Sequence, residues 1–370
     1  MNDLETLLEP LIESAPEPAP VATVRERAAR IRRRRRARSS AIALIVAAVV
    51  VMCVSLTVTR NRPRVRTIAP VTTAPPRVRI GTPRPFDQYG MDMLAAYGSL
   101  WVSQADRVVR MDPADGRVIA RIPVRGESDG RSLAAGAGSI WVDDTGTAAV
   151  TRIDPRTNHV AATISLREGQ FDPDGIAFFG GRLWVARPEP DGLYGDIVAI
   201  DPATNRIVRR SSQTLTPRTF GVIAGSGALW YTGGGAGYEL ERFDTRTLRT
   251  RVTRRDVMAI AGSSPGRLWL QVASGVIEID ERSGAQIGRT IRPRGTVNVT
   301  VAVADGVVWV ASQPDSSTAG SVTPYDAVTH RVVGATTPLG LPIVRLVTTP
   351  GALWVNVYEQ RGLTRVPYSR

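Results

Sequence analysis

The 370-residue sequence contains no lysine, one cysteine and two histidines, so all 47 basic residues are arginines. A single cysteine, Cys53, excludes an intrachain disulfide, and the fold must therefore be held by packing and closure. With His159 and His330 as the two imidazoles, the chain lacks the histidine and cysteine cluster of a zinc site and the Ser-His-Asp set of a hydrolase. We expect no cofactor and no metal.

The net charge of +13 is unevenly distributed. Residues 1–76 hold 13 arginines and 6 acids, a net of +7, whereas residues 77–370 hold 34 arginines and 28 acids, a net of +6. An excess this small, spread over nearly three hundred residues, does not indicate a nucleic-acid-binding face. Nucleic acid is therefore not an expected partner.

Residues 41–59 form an uncharged run, AIALIVAAVVVMCVSLTVT. At about 1.5 Å per helical residue the run spans about 28 Å, which is close to the hydrocarbon thickness of a bilayer. Seven arginines precede it between positions 30 and 38, and four follow it between positions 60 and 66. This asymmetry predicts a cytoplasmic N-terminus. The long region before the run, and the lack of an Ala-x-Ala site after it, favour an uncleaved signal anchor over a cleaved signal peptide.

Residues 1–40 are predicted to form an arginine-rich cytoplasmic tail. Leucines at helical spacing between positions 4 and 11 leave a short partner-docking helix as one interpretation. Pro10 and the APEPAP segment favour a largely disordered tail, whose arginines could contact anionic lipids. Six prolines between Arg60 and Pro85 indicate an extended chain, so residues 60–76 are predicted to be a stalk.

Residues 77–370 consist of seven related units, each containing a Gly-x-x-Trp segment such as GSLWV, GSIWV or GALWV. A period of about 40 residues, with four short β-rich runs in each unit, is typical of a propeller blade. The seven tryptophans of the chain occupy one fixed place in the repeat, at Trp101, Trp141, Trp184, Trp230, Trp269, Trp309 and Trp354. We predict that they fill the space between facing sheets rather than offer a stacking surface.

An Asp-Pro-x-x-Asn/Gly turn separates the last two runs of the first three units, and degenerate versions follow in the next three. Its aspartates are predicted to accept hydrogen bonds from the turn backbone rather than to bind a ligand. They are Asp112, Asp154, Asp201, Asp244, Asp280 and Asp326. His159 and His330 fall in or beside these turns and are predicted to be solvated.

The pattern G-x-LWV followed by IDPxTN resembles the YVTN or YncE-like bacterial β-propellers, within the seven-bladed group that includes streptogramin lyase. The resemblance covers residues 77–370 and implies an all-β, seven-bladed propeller. The apolar run at 41–59 adds the prediction of a single transmembrane helix before it. It differs from the WD40 type, in which a Trp-Asp dipeptide ends a strand. Lyase activity would imply histidines on the inner face, which this sequence lacks there. Some members of the group bind single-stranded DNA.

The seventh unit lacks a fourth run, whereas PRVRIGTP, just before the first unit, has no hairpin partner. We therefore predict that Arg77 to Gly81 supplies the outer strand of the last blade and closes the ring by an N-terminal strand.

Strand direction predicts that the connections between blades and the loops joining second to third strands meet at one mouth of the central channel. The predicted ligand-binding residues of this mouth are Asp129, Arg131, Asp172, Asp174, Arg187, Glu189, Asp191, Tyr194, Arg218, Arg254, Asp256, Asn298 and Arg345. Both signs of charge suit a polar or zwitterionic small molecule or a polar peptide better than a polyanion. The alternative is that these are solvated loop charges.

Three functions remain open at this stage. The first is a non-enzymatic binding module for a small molecule, a peptide or an envelope protein, anchored in the cell membrane with the propeller outside the cytoplasm. The second is a lyase-like or lactonase-like enzyme that uses carboxylates of the channel with a divalent ion. Single-stranded DNA binding is the third, and it would need exposed aromatics in a basic groove.

Overall fold

The computed structural model describes residues 77–87, 90–125, 132–144, 147–166, 175–188, 195–212, 220–233, 239–294, 297–314, 320–339, 343–357 and 362–370. The predicted tail (1–40), transmembrane helix (41–59) and stalk (60–76) lie outside these residues. No helix among the described residues is long and apolar enough to cross a membrane.

The described residues form an all-β propeller of seven antiparallel sheets, with strands β1 to β29 in chain order. The innermost strands are β3 (Met93–Ala96), β7 (Leu133–Gly136), β11 (Ile176–Phe179), β15 (Phe220–Ala224), β19 (Val257–Ser264), β23 (Val297–Ala304) and β27 (Ile343–Thr349). The second strands are β4 (Ser99–Ser103), β8 (Ser139–Asp144), β12 (Arg182–Pro188), β16 (Leu229–Gly233), β20 (Arg267–Val272), β24 (Val307–Gln313) and β28 (Ala352–Val357).

The third strands are β5 (Arg107–Met111), β9 (Ala149–Asp154), β13 (Gly195–Asp201), β17 (Glu239–Asp244), β21 (Gly275–Asp280), β25 (Ser321–Asp326) and β29 (Leu363–Ser369). The outer strands of blades 1 to 6 are β6 (Val118–Pro123), β10 (His159–Ser165), β14 (Arg206–Arg210), β18 (Arg249–Arg255), β22 (Gln286–Ile291) and β26 (Thr337–Pro338). In the last blade, β1 (Arg79–Ile80) and β2 (Arg84–Phe86) pair with the third strand.

Strand direction gives the propeller two distinct faces. Each inner strand runs into a tight turn, such as Tyr97–Gly98, and the third strands of blades 1 to 6 run into a second turn, such as 112–117. These turns lie together on what we call the turn face. The opposite side, the mouth face, holds the starts of the inner strands. Most of the loops and blade connections that the sequence assigns to the mouth lie outside the described residues.

The core consists of seven apolar clusters, each shared by two consecutive blades. In the cluster between blades 1 and 2, Trp101 packs with Leu133, Ile140 and Ile153. The last cluster joins blade 7 to blade 1, where Trp354 packs with Leu100 and Met111. All seven tryptophans are 0 to 2% exposed. The prediction that they fill the space between blades is confirmed, and none of them is available for stacking on nucleic-acid bases.

The N-terminal strand closes the ring as predicted. β1 pairs antiparallel with β29, with Arg79 opposite Ser369, and β2 continues the pairing with Phe86 opposite Leu363. Val78 is 5% exposed and lies in the cluster between blades 6 and 7. Closure therefore adds both backbone hydrogen bonds and buried apolar surface to the last blade.

In blades 1, 2 and 7 an arginine opposite the tryptophan ties the blade to the turn of the next. In blade 1, Arg110 lies opposite Trp101 and stacks over its ring at 5.1 Å. Its Nη1 donates to the carbonyl of Pro155 at 2.5 Å and to Oδ1 of Asn158 at 2.8 Å, both in the turn of blade 2. Arg152 repeats this contact with the turn of blade 3.

The turn aspartates behave as predicted. Oδ1 of each accepts a backbone N–H two or three residues further along, as Asp154 does from Arg156 at 2.8 Å. Hydrogen bonds from the backbone hold the pKa of Asp154, Asp244 and Asp280 below its usual range.

The prediction of a solvated His330 is wrong. His330 occupies the left-handed turn position that Asn158 fills in blade 2, with φ of 53°. Its ring is 1% exposed because it packs edge-on against Trp269, at 5.2 Å, and bonds Oε2 of Glu278 at 2.7 Å. Glu278 stands opposite Trp269, where blades 1 and 2 carry arginine. His159 is exposed, as predicted.

Candidate ligand-binding site

The inner strands surround a central channel of about 440 Å³. Most of its lining residues are aliphatic, such as Leu133, Ile176, Ile260, Val301 and Leu346, although polar groups make up more of its exposed surface than apolar groups do. Towards the mouth face the channel opens into a cavity of about 260 Å³, where polar groups join the lining. These are Asp92, Ser132, Thr232 and Arg345.

The inner strands differ between the two halves of the ring. Those of blades 1 to 3 have four residues each and pair regularly with their neighbours. In blades 4 to 7 each inner strand carries a register shift near its mouth end, for example between Ile343 and Arg345. A β-bulge redirects the side chains beside it and is common next to binding sites. In blade 7 this leaves Val344 43% exposed and Arg345 half-exposed at the channel.

Asp92 organises the mouth. Its side chain is 9% exposed, and Oδ1 accepts from the backbone N–H of Met93 at 2.7 Å and forms an ion pair with Nε of Arg345, also at 2.7 Å. Oδ2 accepts the N–H of Leu133, the first residue of the inner strand of blade 2, at 2.9 Å. The carboxylate thus links blades 7, 1 and 2, and its oxygens are already engaged with protein donors.

Asp143 is a second buried carboxyl beside the first. It is 1% exposed; one oxygen accepts the backbone N–H of Ser132, and Oδ2 accepts that of Gly175 at 3.2 Å. Burial raises the pKa of Asp143 to about 8, and the negative charge of Asp92 acts in the same direction against the two N–H donors. Asp143 is therefore mostly neutral at pH 7.

Polar residues recur two positions after the tryptophan in five blades: Ser103, Asp143, Thr232, Gln271 and Asn356. All are nearly buried, at 0 to 6% exposure. Three of them hold the entry of an inner strand: Ser103 bonds Asp92, Asp143 bonds Ser132 and Gly175, and Asn356 donates Nδ2 to the carbonyl of Gly90 at 2.6 Å. Our sequence reasoning missed this set, although a polar residue inside each LWVS, IWVD or LWVN run was a visible indication.

Of the thirteen predicted mouth residues, Arg345 is placed at the mouth by the structure. Arg254 and Asp256 form an ion pair of 3.2 Å where β18 passes into β19, and neither lines the channel. Asn298 lies in β23, but its side chain is outside the description. The others except Arg187 lie outside the described residues: Asp129, Arg131, Asp172, Asp174, Glu189, Asp191, Tyr194 and Arg218.

Arg187 does not have the predicted role at the mouth. Its side chain is fully buried, with Nε at 2.7 Å from Oδ1 of Asp196 and Nη2 at 2.5 Å from Oδ2. Nη1 donates to the carbonyl of Leu166, at the end of blade 2. A planar guanidinium bound on both edges suits a structural link between blades. No grouping of three metal-ligating side chains occurs within the described part of the chain.

No family model and no curated protein matches the chain. Among solved structures, virginiamycin B lyase from Staphylococcus aureus is similar, with a TM-score of 0.61 and 14% identity over 78% of this chain and 99% of that one. The hydrazine synthase of Kuenenia stuttgartiensis has a TM-score of 0.58 and 14% identity over 78% of this chain and 98% of that one. The WD40 repeats of RRP9 have a TM-score of 0.59 and 11% identity over 80% of this chain and 99% of that one. At such identities the likeness establishes the seven-bladed propeller fold, and a fold shared by a lyase and WD40 repeats does not separate an enzyme from a binding module.

Proposed function

We propose that the chain is a single-pass, membrane-anchored binding module whose propeller lies outside the cytoplasm, and whose channel takes a small molecule combining a carboxylate with an apolar portion. The anchor is inferred from the apolar run at 41–59 and its flanking arginines. The ligand class is inferred from the mouth. This ligand class is narrower than the polar or zwitterionic class that the sequence predicts.

Arg345 is the observation that carries the ligand class. Asp92 fixes its Nε, and the two terminal nitrogens have no hydrogen-bond partner among the described residues, while the side chain is 50% exposed at the cavity. A guanidinium held in this way presents a planar pair of donors, which matches the two oxygens of a carboxylate. Since Asp92 accepts two backbone N–H groups and pairs with Nε of Arg345, the terminal nitrogens of Arg345 remain for a ligand.

The channel below the mouth supplies the second half of the ligand class. Arg345 lies among aliphatic lining residues of the channel, and each methylene that packs against them leaves water with a gain of about 0.8 kcal/mol. A ligand bound through its carboxylate at the mouth would therefore direct its hydrocarbon part into the channel.

Binding of octanoate, compared with octylamine and with acetate, tests the proposal by isothermal titration. We expect octanoate to bind, octylamine not to bind and acetate to bind more weakly, because it buries little apolar surface. Arg345→Gln should abolish octanoate binding, whereas Arg294→Gln, an exposed arginine at the mouth-face end of blade 5, should leave it unchanged.

Arg345→Lys keeps the positive charge near Asp92 but removes the planar pair of N–H donors. It should fold normally and bind octanoate at least tenfold more weakly. Equal affinities of octanoate and octylamine, or full binding by Arg345→Gln, would contradict the proposed ligand class.

A lyase-like or lactonase-like enzyme is the second candidate, and Asp143 is the observation that favours it. A carboxyl whose pKa is about 8 can exchange a proton near neutral pH, and such groups often mark reaction centres. An assay of simple lactones tests this function. Hydrolysis is measured by the release of protons, with and without added Mg²⁺. Turnover that Asp143→Asn abolishes would favour the enzyme, and its absence would favour the binding module.

A further inference from the structure

The turn face concentrates positive charge. Eight exposed arginines lie in its turns and at the strand ends beside them: Arg117, Arg156, Arg182, Arg206, Arg246, Arg249, Arg282 and Arg331. Among the described residues of this face, the exposed acids are Asp115 and Asp305. Six further aspartates are partly buried in the turns, where their oxygens accept backbone N–H groups, and their carboxylates offset part of this positive charge. Half-buried arginines beside the same turns compensate most of these aspartates: Arg110, Arg152, Arg209, Arg242 and Arg267.

The same face carries exposed apolar side chains. Val328, in the turn of blade 6, is 83% exposed, Val332 beside it is 55% exposed, and Tyr97, in the first turn of blade 1, is 44% exposed. Tyrosine and small apolar groups surrounded by arginine are the composition of a surface that sits at the lipid headgroup level.

The chain also enters the propeller at this face. β1 pairs with the end of β29, so Arg79 lies opposite Ser369, next to the turn face, and β2 then runs toward the mouth face. Arg77 and Arg79 are themselves exposed. The described part of the chain therefore begins beside the exposed arginines, on the side away from the channel mouth.

From these three observations we infer that the turn face docks on the surface of an anionic phospholipid bilayer, which leaves the channel mouth facing away from the membrane. The inference rests on the proposed membrane anchor, because the anchor brings the bilayer within reach of the face. Basic side chains near anionic headgroups attract them over about one Debye length, near 10 Å at 0.1 M salt, so docking should weaken as salt rises.

Fluorescence quenching in nanodiscs tests the docking with the full chain. In a Cys53→Ser background, one cysteine is introduced at the turn face by Thr204→Cys or at the mouth face by Pro314→Cys, both exposed positions. Each is labelled with a fluorophore, and the discs carry lipids with a nitroxide on the headgroup. We expect strong quenching at 204 and little at 314 in discs with 30% phosphatidylglycerol, and loss of the difference in pure phosphatidylcholine or at 1 M salt.

Two triple variants with the same change in net charge separate the turn face from overall charge. The turn-face variant, in which Arg206, Arg246 and Arg282 are replaced by glutamine, should lose at least half of the quenching at position 204. The control, in which Arg121, Arg292 and Arg294 are replaced by glutamine, should retain it, because these exposed arginines lie on strands and connections nearer the mouth face.

Several outcomes would overturn the docking inference. They are equal quenching at the two positions, an equal loss in both triple variants, or no quenching together with binding of a single-stranded oligonucleotide that depends on the same three arginines. Failure of the chain to remain in neutral phosphatidylcholine discs would instead refute the anchor. In that case, co-sedimentation with phosphatidylglycerol vesicles, lost by the turn-face variant and kept by the control, would still support the docking face.

Discussion

At the scale of single residues, the tryptophans contribute most visibly to stability. Trp184 and Trp269 are 2% and 1% exposed and each lies in a cluster shared by two blades. Replacing either by alanine leaves a large cavity, so we expect the free energy of unfolding to fall by about 3 to 5 kcal/mol in chemical denaturation. Tyr97→Ala, at an exposed aromatic, should change it by less than about 0.5 kcal/mol. A loss below about 1 kcal/mol at both tryptophans would contradict their role as the core.

Asp143 gives stability a pH dependence of definite sign. Its pKa is about 8 in the folded chain, above its ordinary value of 3.8, so the folded state retains a proton that the unfolded chain has released between these values. Stability should therefore fall as pH rises from about 4 to about 8. Asp143→Asn, which cannot ionise, should remove this part of the decline between pH 5 and pH 8, measured by urea denaturation. Asp115→Asn, at an exposed turn, should not, and parallel curves for wild type and Asp143→Asn would refute the assignment.

At the scale of elements, contacts between turns decide how closely blades approach. Although burial raises it, hydrogen bonds from Ser226, Trp230 and Gly227 hold the pKa of Glu281 below its usual range. A Cβ at Gly225 would lie 1.9 Å from Oε1 of this carboxylate, whereas one at Gly227 would meet nothing within 4 Å. We expect Gly225→Ala to lower the free energy of unfolding by about 1 to 3 kcal/mol, because the carboxylate must leave its donors. Gly227→Ala is the matched control, and equal effects would show that the contact is unimportant.

The N-terminal strand is the second element whose effect can be measured. A fragment of residues 77–370 retains β1 and β2, whereas a fragment of residues 87–370 exposes the edge of β29 and removes Phe86 from Trp354, 5.2 Å away between ring centroids. The shorter fragment should melt at a lower temperature in calorimetry. Val78→Asp in the longer fragment should lower it as well, since Val78 is 5% exposed. Equal melting temperatures of the two fragments would mean that the ring closes without this strand.

At the scale of the whole molecule, the repeat allowed the sequence to predict most of the fold. Periodic tryptophans and turn aspartates identify blades because every blade must solve the same packing problem against its neighbour. The site was harder to predict. Asp92 reaches the mouth through contacts with Arg345 and Leu133, 253 and 41 positions away, and no local pattern reports such distances. Arg187 was assigned to the mouth because it follows a strand, but a partner nine residues on, Asp196, draws it into the interior.

His330 shows the same limit at a repeat position. The same turn position is exposed to solvent in one blade and buried in another. In blade 5 the residue opposite the tryptophan is Glu278 instead of arginine, and its carboxylate accepts a hydrogen bond from the His330 ring beside Trp269. A repeat therefore predicts where a residue lies within its blade. It does not predict the contacts of that residue, because these depend on which side chain the neighbouring blade presents.

The orientation of the whole chain remains a prediction of the arginine asymmetry. Trypsin added to intact spheroplasts should cut the stalk at its arginines between positions 60 and 66 and release a fragment of propeller size, whose packed sheets resist cleavage. Replacing Arg32 to Arg36 by serine leaves four arginines before the apolar run against four after it. The asymmetry is then lost, so a share of chains should insert the other way and become protected. A cytoplasmic marker protein must stay intact in the same sample. Release of the fragment from lysed cells alone would show that the propeller faces the cytoplasm, and it would remove the basis for a ligand site and a docking face outside it.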